Sequence, residues 1–254
     1  VIEVMRPQDV AAATAEALGE SIAGRPGPVA VVLPEDVTEG EAGAPHIPGA
    51  EPRVALKPDP QSVATAAPLI GAARHPVIIG GEQVNFEAAH GALARFAEAA
   101  GAGVVSAFRR QDILAHEDAA NLGHFGLRLA PYQEKFWADV DLVILAGARP
   151  DGATLQGFSL LRADQNVIHI YPEGAAFAQS SPRVALEADV GASLEALGEH
   201  LQGAPAKGRL AWRAARHDEH IAYTTPGLGA MGYAVPGAIG AQLARPDSEV
   251  VALV

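Results

Sequence analysis

The stretch His75-Pro-Val-Ile-Ile-Gly-Gly81 decides the fold of this chain. Pro76–Ile79 is a short apolar run of the kind that fills a strand buried on both faces, and the glycine pair after it marks a tight turn. Read outward from there, the same unit recurs. A helix predicted over Gln61–Ala73 precedes this strand. A helix over Phe86–Ala100 follows it and leads to a strand at Gly103–Ser106. A helix near Tyr132–Ala138 precedes a strand at Leu142–Ala146. Strands at Val167–Ile170 and Val184–Leu186 come next, and a helix over Ala192–Gln202 closes the series. Helices alternating with short buried strands imply a parallel sheet covered on both faces, with right-handed crossovers. The fold class expected is therefore α/β. Residues 61–202 form a Rossmann-like doubly wound parallel sheet of common domain size, flanked by partial α/β segments.

The flanks read differently. Pro7 stands near a helix start, Asp9 is the candidate N-cap, and Val10 to Ala23 reads as helix. Gly24-Arg-Pro-Gly-Pro28 breaks that helix. Val29-Ala-Val-Val-Leu33 is expected to be a strand buried on both faces. Pro34 to Pro60 is rich in Pro, Gly and Glu without a period and reads as linker, so the expected divisions are 1–41, a linker over 42–60, 61–202, and 203–254. Arg209 to Tyr223 reads as a polar helix carrying Trp212.

Composition bounds the chemistry. The chain has 254 residues, 49% of them apolar, enough for a sizeable core. A formal net charge of −12 argues against binding a phosphate backbone, so no nucleic-acid partner is expected. The absence of cysteine excludes disulfides, thiol chemistry and cysteine metal sites, and fits a cytoplasmic protein. No apolar run approaches the ~20 residues that span a bilayer, so no membrane role is expected. The nine histidines show no H-x-x-x-H or H-E-x-x-H spacing, so no metal site is expected within the chain. His116 and Glu117 read as solvent residues.

Several positions stand where open parallel sheets bind ligands, beyond the carboxyl ends of strands. Gly80 and Gly81 either turn amides toward a diphosphate or simply make a tight strand-to-helix turn. Arg149 and Asp151, just past Gly147, form either a bidentate phosphate clamp with its neighbour or a surface ion pair. His124 and Gly126 lie in Gly123-His-Phe-Gly126, read as a loop. Glu173 follows the Val167–Ile170 strand, where a carboxylate accepts from ribose hydroxyls. The last stretch, Thr225 to Asp247, is a glycine-rich turn running into a small-residue helix, with a buried strand at Val250–Val254 after it. Glycine lets backbone approach a ligand, and a helix N-terminus favours anions.

Four segments, in order, resemble the thiamine-diphosphate enzyme family, in particular its acetolactate synthase branch. Gly24 to Val37 is similar to the segment closing the pyrimidine-binding domain. His75 to Gly81 is similar to the first strand and turn of the middle domain. Ala138 to Asp151 resembles the family's A-D-L-[IV]-[IL]-x-[IVL]-G-[AT]-R segment. Gly229, Met231, Gly232, Tyr233, Pro236, Ala238, Ile239, Gly240 and Ala241 fit the opening of the diphosphate-binding domain, whose later Gly-Asp-Gly is not in this chain. The resemblance implies a central piece of an enzyme that uses thiamine diphosphate and magnesium on a small 2-oxo acid such as pyruvate. Acetolactate-forming carboligation is the expected reaction. A 2-oxo acid decarboxylase and a non-catalytic nucleotide-binding or scaffold module are the alternatives. It places the catalytic Glu before Val1 and the magnesium ligands after Val254, so no catalytic or metal residue is expected here and the chain alone is expected to be silent. It also implies that a helix and strands are missing before the glycine segment. Gly80, Gly81, His124, Gly126, Gly147, Arg149, Asp151 and Glu173 become candidate contacts to FAD or ADP. Tyr171-Pro172 departs from the family's usual Asp there. Gly229, Met231 and Gly232 become candidate contacts to thiamine diphosphate, with Met231 propping the bent cofactor. Self-association to a dimer or tetramer is implied as well.

Overall fold

A computed structural model describes residues 1–42, 55–201, 203–222, 234–244 and 246. The chain divides into two compact units, Val1–Ile221 and Ala222–Val254.

The larger unit is built on a six-stranded, wholly parallel sheet: β3 (Pro76–Gly80), β4 (Gly103–Ser106), β5 (Asn121–His124), β6 (Leu142–Ala146), β7 (Asn166–Tyr171) and β8 (Val184–Glu187). Their spatial order is β5-β4-β3-β6-β7-β8. This is the doubly wound arrangement, in which the winding reverses between the two central strands. Every residue of β3 and β6 is buried, which is why both read as continuous apolar runs. Alternate residues feed two cores. Ile78, Ile144 and Ile168 face one layer with Leu93, Phe96 and Leu197. Val77, Ile79, Val143 and Leu145 face the other with Phe125, Phe136 and Trp137. Burying each such side chain contributes about 1.5–3 kcal/mol.

The helices follow from local signals. In α3 (Pro60–Ala72), Asp59 caps the N-terminus by accepting from the Ser62 amide at 2.8 Å, and Pro60 occupies the first turn. Residues 82–100 depart from expectation. The single helix expected over Phe86–Ala100 is two, α4 (Glu82–Phe86) and α5 (His90–Ala100), parted where Ala88 adopts φ 52°. The side chains at the break are tied elsewhere: Asn85 donates to Asp112, and Glu87 accepts from the Gly191 amide. α5 stops at Gly101, whose φ of +60° suits glycine. α6 (Pro131–Trp137), α7 (Val190–Glu199) and α8 (Lys207–Ala222) complete the layers.

The N-terminal segment corrects two further expectations. Its helix α1 (Val10–Ile22) forms, but Asp9 does not cap it; both its oxygens accept from Arg6. The strand expected at Val29–Leu33 shrinks to β2 (Val31–Val32), paired in parallel with β1 (Ile2–Glu3). It is not buried on both faces, since Val32 is 43% and Leu33 42% exposed. A short helix, α2 (Glu35–Thr38), interrupts the segment read as linker. In the second unit, α9 (Ala234–Ala244) matches the small-residue helix read there. Among the described residues, no helix is long and apolar enough to cross a membrane.

Candidate functional site

The chain leaves β3 toward one layer and β6 toward the other, so a crevice opens beyond their carboxyl ends. The two turns there approach at backbone distance. The Gly81 amide donates to Ala146 O at 3.0 Å, and the Gln83 amide donates to Gly147 O at 3.1 Å. A Cβ on Gly81 would strike the backbone of Gly147 and Ala148, and one on Gly147 would meet Gln83 Cβ and Val190 Cγ2 at 2.6 Å. Gly147 also holds φ +62°. These glycines join the turns, and the Gly81 amide is engaged by protein rather than turned toward a ligand.

Above this floor lies a cleft of about 190 Å³. Three guanidinium groups line it: Arg25 from the N-terminal segment, Arg110 after β4, and Arg149 after β6, together with Phe86, Phe108, Glu82 and Asp151. The two carboxylates are engaged. Glu82 accepts from the Tyr171 hydroxyl at 2.8 Å, and Asp151 accepts from the Thr154 amide at 2.7 Å. Asp151 therefore shapes the loop that carries Arg149. Burial, and then the charge of Glu82, hold the Tyr171 hydroxyl protonated well above the ordinary phenol range. The cleft thus offers three cations, partly balanced, beside two aromatic rings. Guanidinium forks suit phosphate and carboxylate oxygens, and rings suit a planar base.

The expected residues separate into groups. Arg149 and Asp151 line the cleft, and Gly80, Gly81 and Gly147 belong to the turns beneath it. His124 and Gly126 belong to the outer edge of the sheet. His124 ends β5, so the segment read as a loop is half strand, and burial lowers its pKa. Gly126 O accepts from Gln156. Glu173 is exposed and faces Gly24. Gly229, Met231 and Gly232 lie outside the described residues. Arg25 and Arg110 were not anticipated. Arg25 had a signal, since it falls in the Gly24 to Val37 segment. Among the described residues no group of three or more His, Asp or Glu is placed to hold a metal ion.

Comparison with known proteins bears on this geometry. Residues 63–197 match the family profile described as thiamine pyrophosphate enzyme, central domain, just over half of the chain. This chain belongs to the thiamine pyrophosphate enzyme family. Residues 207–254 match the profile for its C-terminal TPP-binding domain. Among the relatives, the acetolactate synthase large subunit of Parasynechococcus marenigrum is 25% identical over 98% of this chain and 50% of its own length. That of Corynebacterium glutamicum is 32% identical over 65% of this chain and 27% of its own. Oxalyl-CoA decarboxylase of Escherichia coli is 29% identical over 83% of this chain and 37% of its own. A crystal structure assigned as a thiamin diphosphate-dependent enzyme from Mycobacterium smegmatis superposes with a TM-score of 0.62 at 25% identity, covering 81% of this chain and 39% of that one. The chain thus spans about half the length, or less, of the relatives it matches. The first of these alignments runs to 309 positions for 98% of 254 residues, so at least about 60 positions face a gap in this chain.

Proposed function

We propose that this thiamine pyrophosphate family chain is the central portion of an enzyme acting on a 2-oxo acid such as pyruvate, with acetolactate synthase-like carboligation as its reaction. Thiamine diphosphate, held with magnesium, supplies the carbanion-stabilising chemistry when bound. The segment from 207, which carries Gly229, Met231 and Gly232, belongs to that cofactor's domain. The parent assembles as a dimer or tetramer in the cytoplasm. The central domain's own part is to hold an anionic nucleotide, FAD or ADP, at the sheet crevice.

The observation that carries this last role is the convergence of Arg25, Arg110 and Arg149 over the β3/β6 turns. Donor chemistry fits: forks for a diphosphate, with Phe86 and Phe108 beside them. A ligand that binds only the native state raises its stability by mass action, by about 2.7 kcal/mol at a hundred times Kd. Thermal unfolding of the chain with ADP, FAD, NAD or inorganic pyrophosphate tests it. A rise with ADP or FAD that Arg149→Ala abolishes supports the role. No rise with any of the four leaves the domain architectural. Product analysis of pyruvate turnover, acetolactate against aldehyde, separates carboligation from simple decarboxylation. The decarboxylase reading is kept because of the likeness to oxalyl-CoA decarboxylase.

A further inference from the structure

A second polar constellation lies at the outer edge of the sheet, where the last turn of α8 meets β5. Four imidazoles gather there from three segments: His116 in the loop before β5, His124 at the end of β5, and His217 and His220 on α8. His220 is only 5% exposed. Its ring centroid is 4.9 Å from that of His116 and 6.4 Å from that of His217. Gly123, with φ +94°, opens the space: a Cβ there would stand 2.9 Å from His220 Nδ1 and collide with Tyr132 Oη.

The hydrogen bonds fix one protonation state. Tyr132 on α6 donates its hydroxyl proton to Leu122 O at 3.1 Å. Its oxygen therefore accepts from His220, whose Nδ1 lies 3.3 Å away. Nδ1 then carries the proton and Nε2 is a bare lone pair, buried and without a hydrogen-bond partner. A proton added at Nε2 would have nothing to donate to and would face three further imidazoles. The nearby carboxylate on the same helix, Glu219, is engaged by Arg216 at 3.3 Å and Lys135 at 3.9 Å. His217 holds the same turn of α8 by its Nδ1, 2.9 Å from Asn121 O. The turn ends at the boundary between the two compact units, Ile221/Ala222.

We infer that His220 works as a proton-sensitive latch among these histidines: neutral, it helps seat the last turn of α8 on the edge of the sheet; protonated, it releases that turn. Burial first, then His116, His217 and His124, lower the His220 pKa from 6.5 to about 4. The seated turn therefore binds fewer protons than the released one. Seating is complete above pH 6.5 and weakens as pH falls from there toward 4.

Amide hydrogen exchange of the full chain at pH 7.5, 6.5 and 5.0, corrected for intrinsic rates and referenced to β3 amides, reads the latch directly. Protection at residues 217–222 should fall about tenfold per pH unit below 6.5, about thirtyfold at pH 5.0. In His220→Asn, whose amide still donates to Tyr132 but does not titrate, it should stay within about threefold. An equal fall in both proteins, or none in the wild type, overturns the latch. Should the variant not fold, histidine ring NMR of the wild type decides: a His220 midpoint below about 5.5 supports it, and one at or above about 5.5 overturns it.

Discussion

Arg209 on α8 donates to Ala100 O at 2.6 Å, the last carbonyl of α5, and the same guanidinium also reaches Ile70 O, Gly71 O and Ala73 O at the end of α3. One buried cation thereby donates to carbonyls at two helix C-termini, where positive charge is favoured. Burial pushes its pKa down, though Asp141 opposes this. Arg209→Ala should cost about 3 kcal/mol, because it strands several buried acceptors. Arg209→Lys should recover less than half of that, since a single ammonium cannot span the carbonyls of both helices. Urea midpoints of the two variants check the ranking.

Gly81 offers a sharper test of what the glycine pair is for. A methyl there would sit 2.7 Å from Ala148 Cβ and inside the Gly147 backbone. The turns of β3 and β6 would have to part, so Gly81→Ala should destabilise the chain by about 3 kcal/mol even without ligand. Were the position merely ligand-facing, stability would hold and only nucleotide binding would fall.

How much of this was legible beforehand depended on where the information lay. β3 and β6 are continuous apolar runs, because strands buried on both faces leave no other choice, and β4, β7 and β8 were legible from their Val, Ile and Leu residues. β5 was hidden. Asn121-Leu-Gly-His has one large apolar residue and a glycine at φ +94°, and it is a strand only because β4 offers it an edge, across a register shift. The break before α5 was hidden too, because its causes, Asp112 and Gly191, are distant in sequence. At the crevice, Arg149 and Asp151 followed from their place after a central strand. Arg110 had no such marker, and its place at the cleft comes from packing. The histidine latch showed in the sequence only as His217-Asp-Glu-His220, one helical turn apart; its other half comes from β5, α6 and the preceding loop.

Within the crevice, Glu82 is one of two lining carboxylates, with Asp151, whose charge opposes an anion, and the hydroxyl it accepts from, Tyr171, is buried. Neutralising it removes repulsion without removing a donor to the ligand. Glu82→Gln should therefore tighten ADP or pyrophosphate binding about fivefold, a gain that shrinks as salt rises. Tyr171→Phe should do the reverse, about twofold to fivefold, by freeing the carboxylate toward the cleft, and should cost about 1 kcal/mol of stability. Calorimetric titration at two ionic strengths measures both.

His169 gives the last prediction. It is fully buried in β7, with Nε2 3.2 Å from Ala148 O and Nδ1 2.8 Å from Ser180 Oγ. Nε2–H is the donor to Ala148; in the neutral ring Nδ1 accepts the serine proton at the shorter contact, in competition with Phe177 O, which lies 3.2 Å from the same hydroxyl. Burial lowers its pKa from 6.5 to about 4, only partly offset by the bond to Ala148. The unfolded chain therefore takes up a proton between pH 6.5 and 4 that the folded chain refuses. Stability from this residue is whole above pH 6.5 and declines by about 1.4 kcal/mol for each pH unit below it, until the folded group titrates near 4. His169→Gln should remove that slope, leaving the part due to His220, which acts over the same range. The variant should lose more stability at pH 7.5 than at pH 5, and the gap should close by about 2 kcal/mol between them. Urea unfolding of both proteins at the two pH values measures it; parallel curves would mean that His169 is already protonated in the fold, with Ser180 and Ala148 both accepting from it.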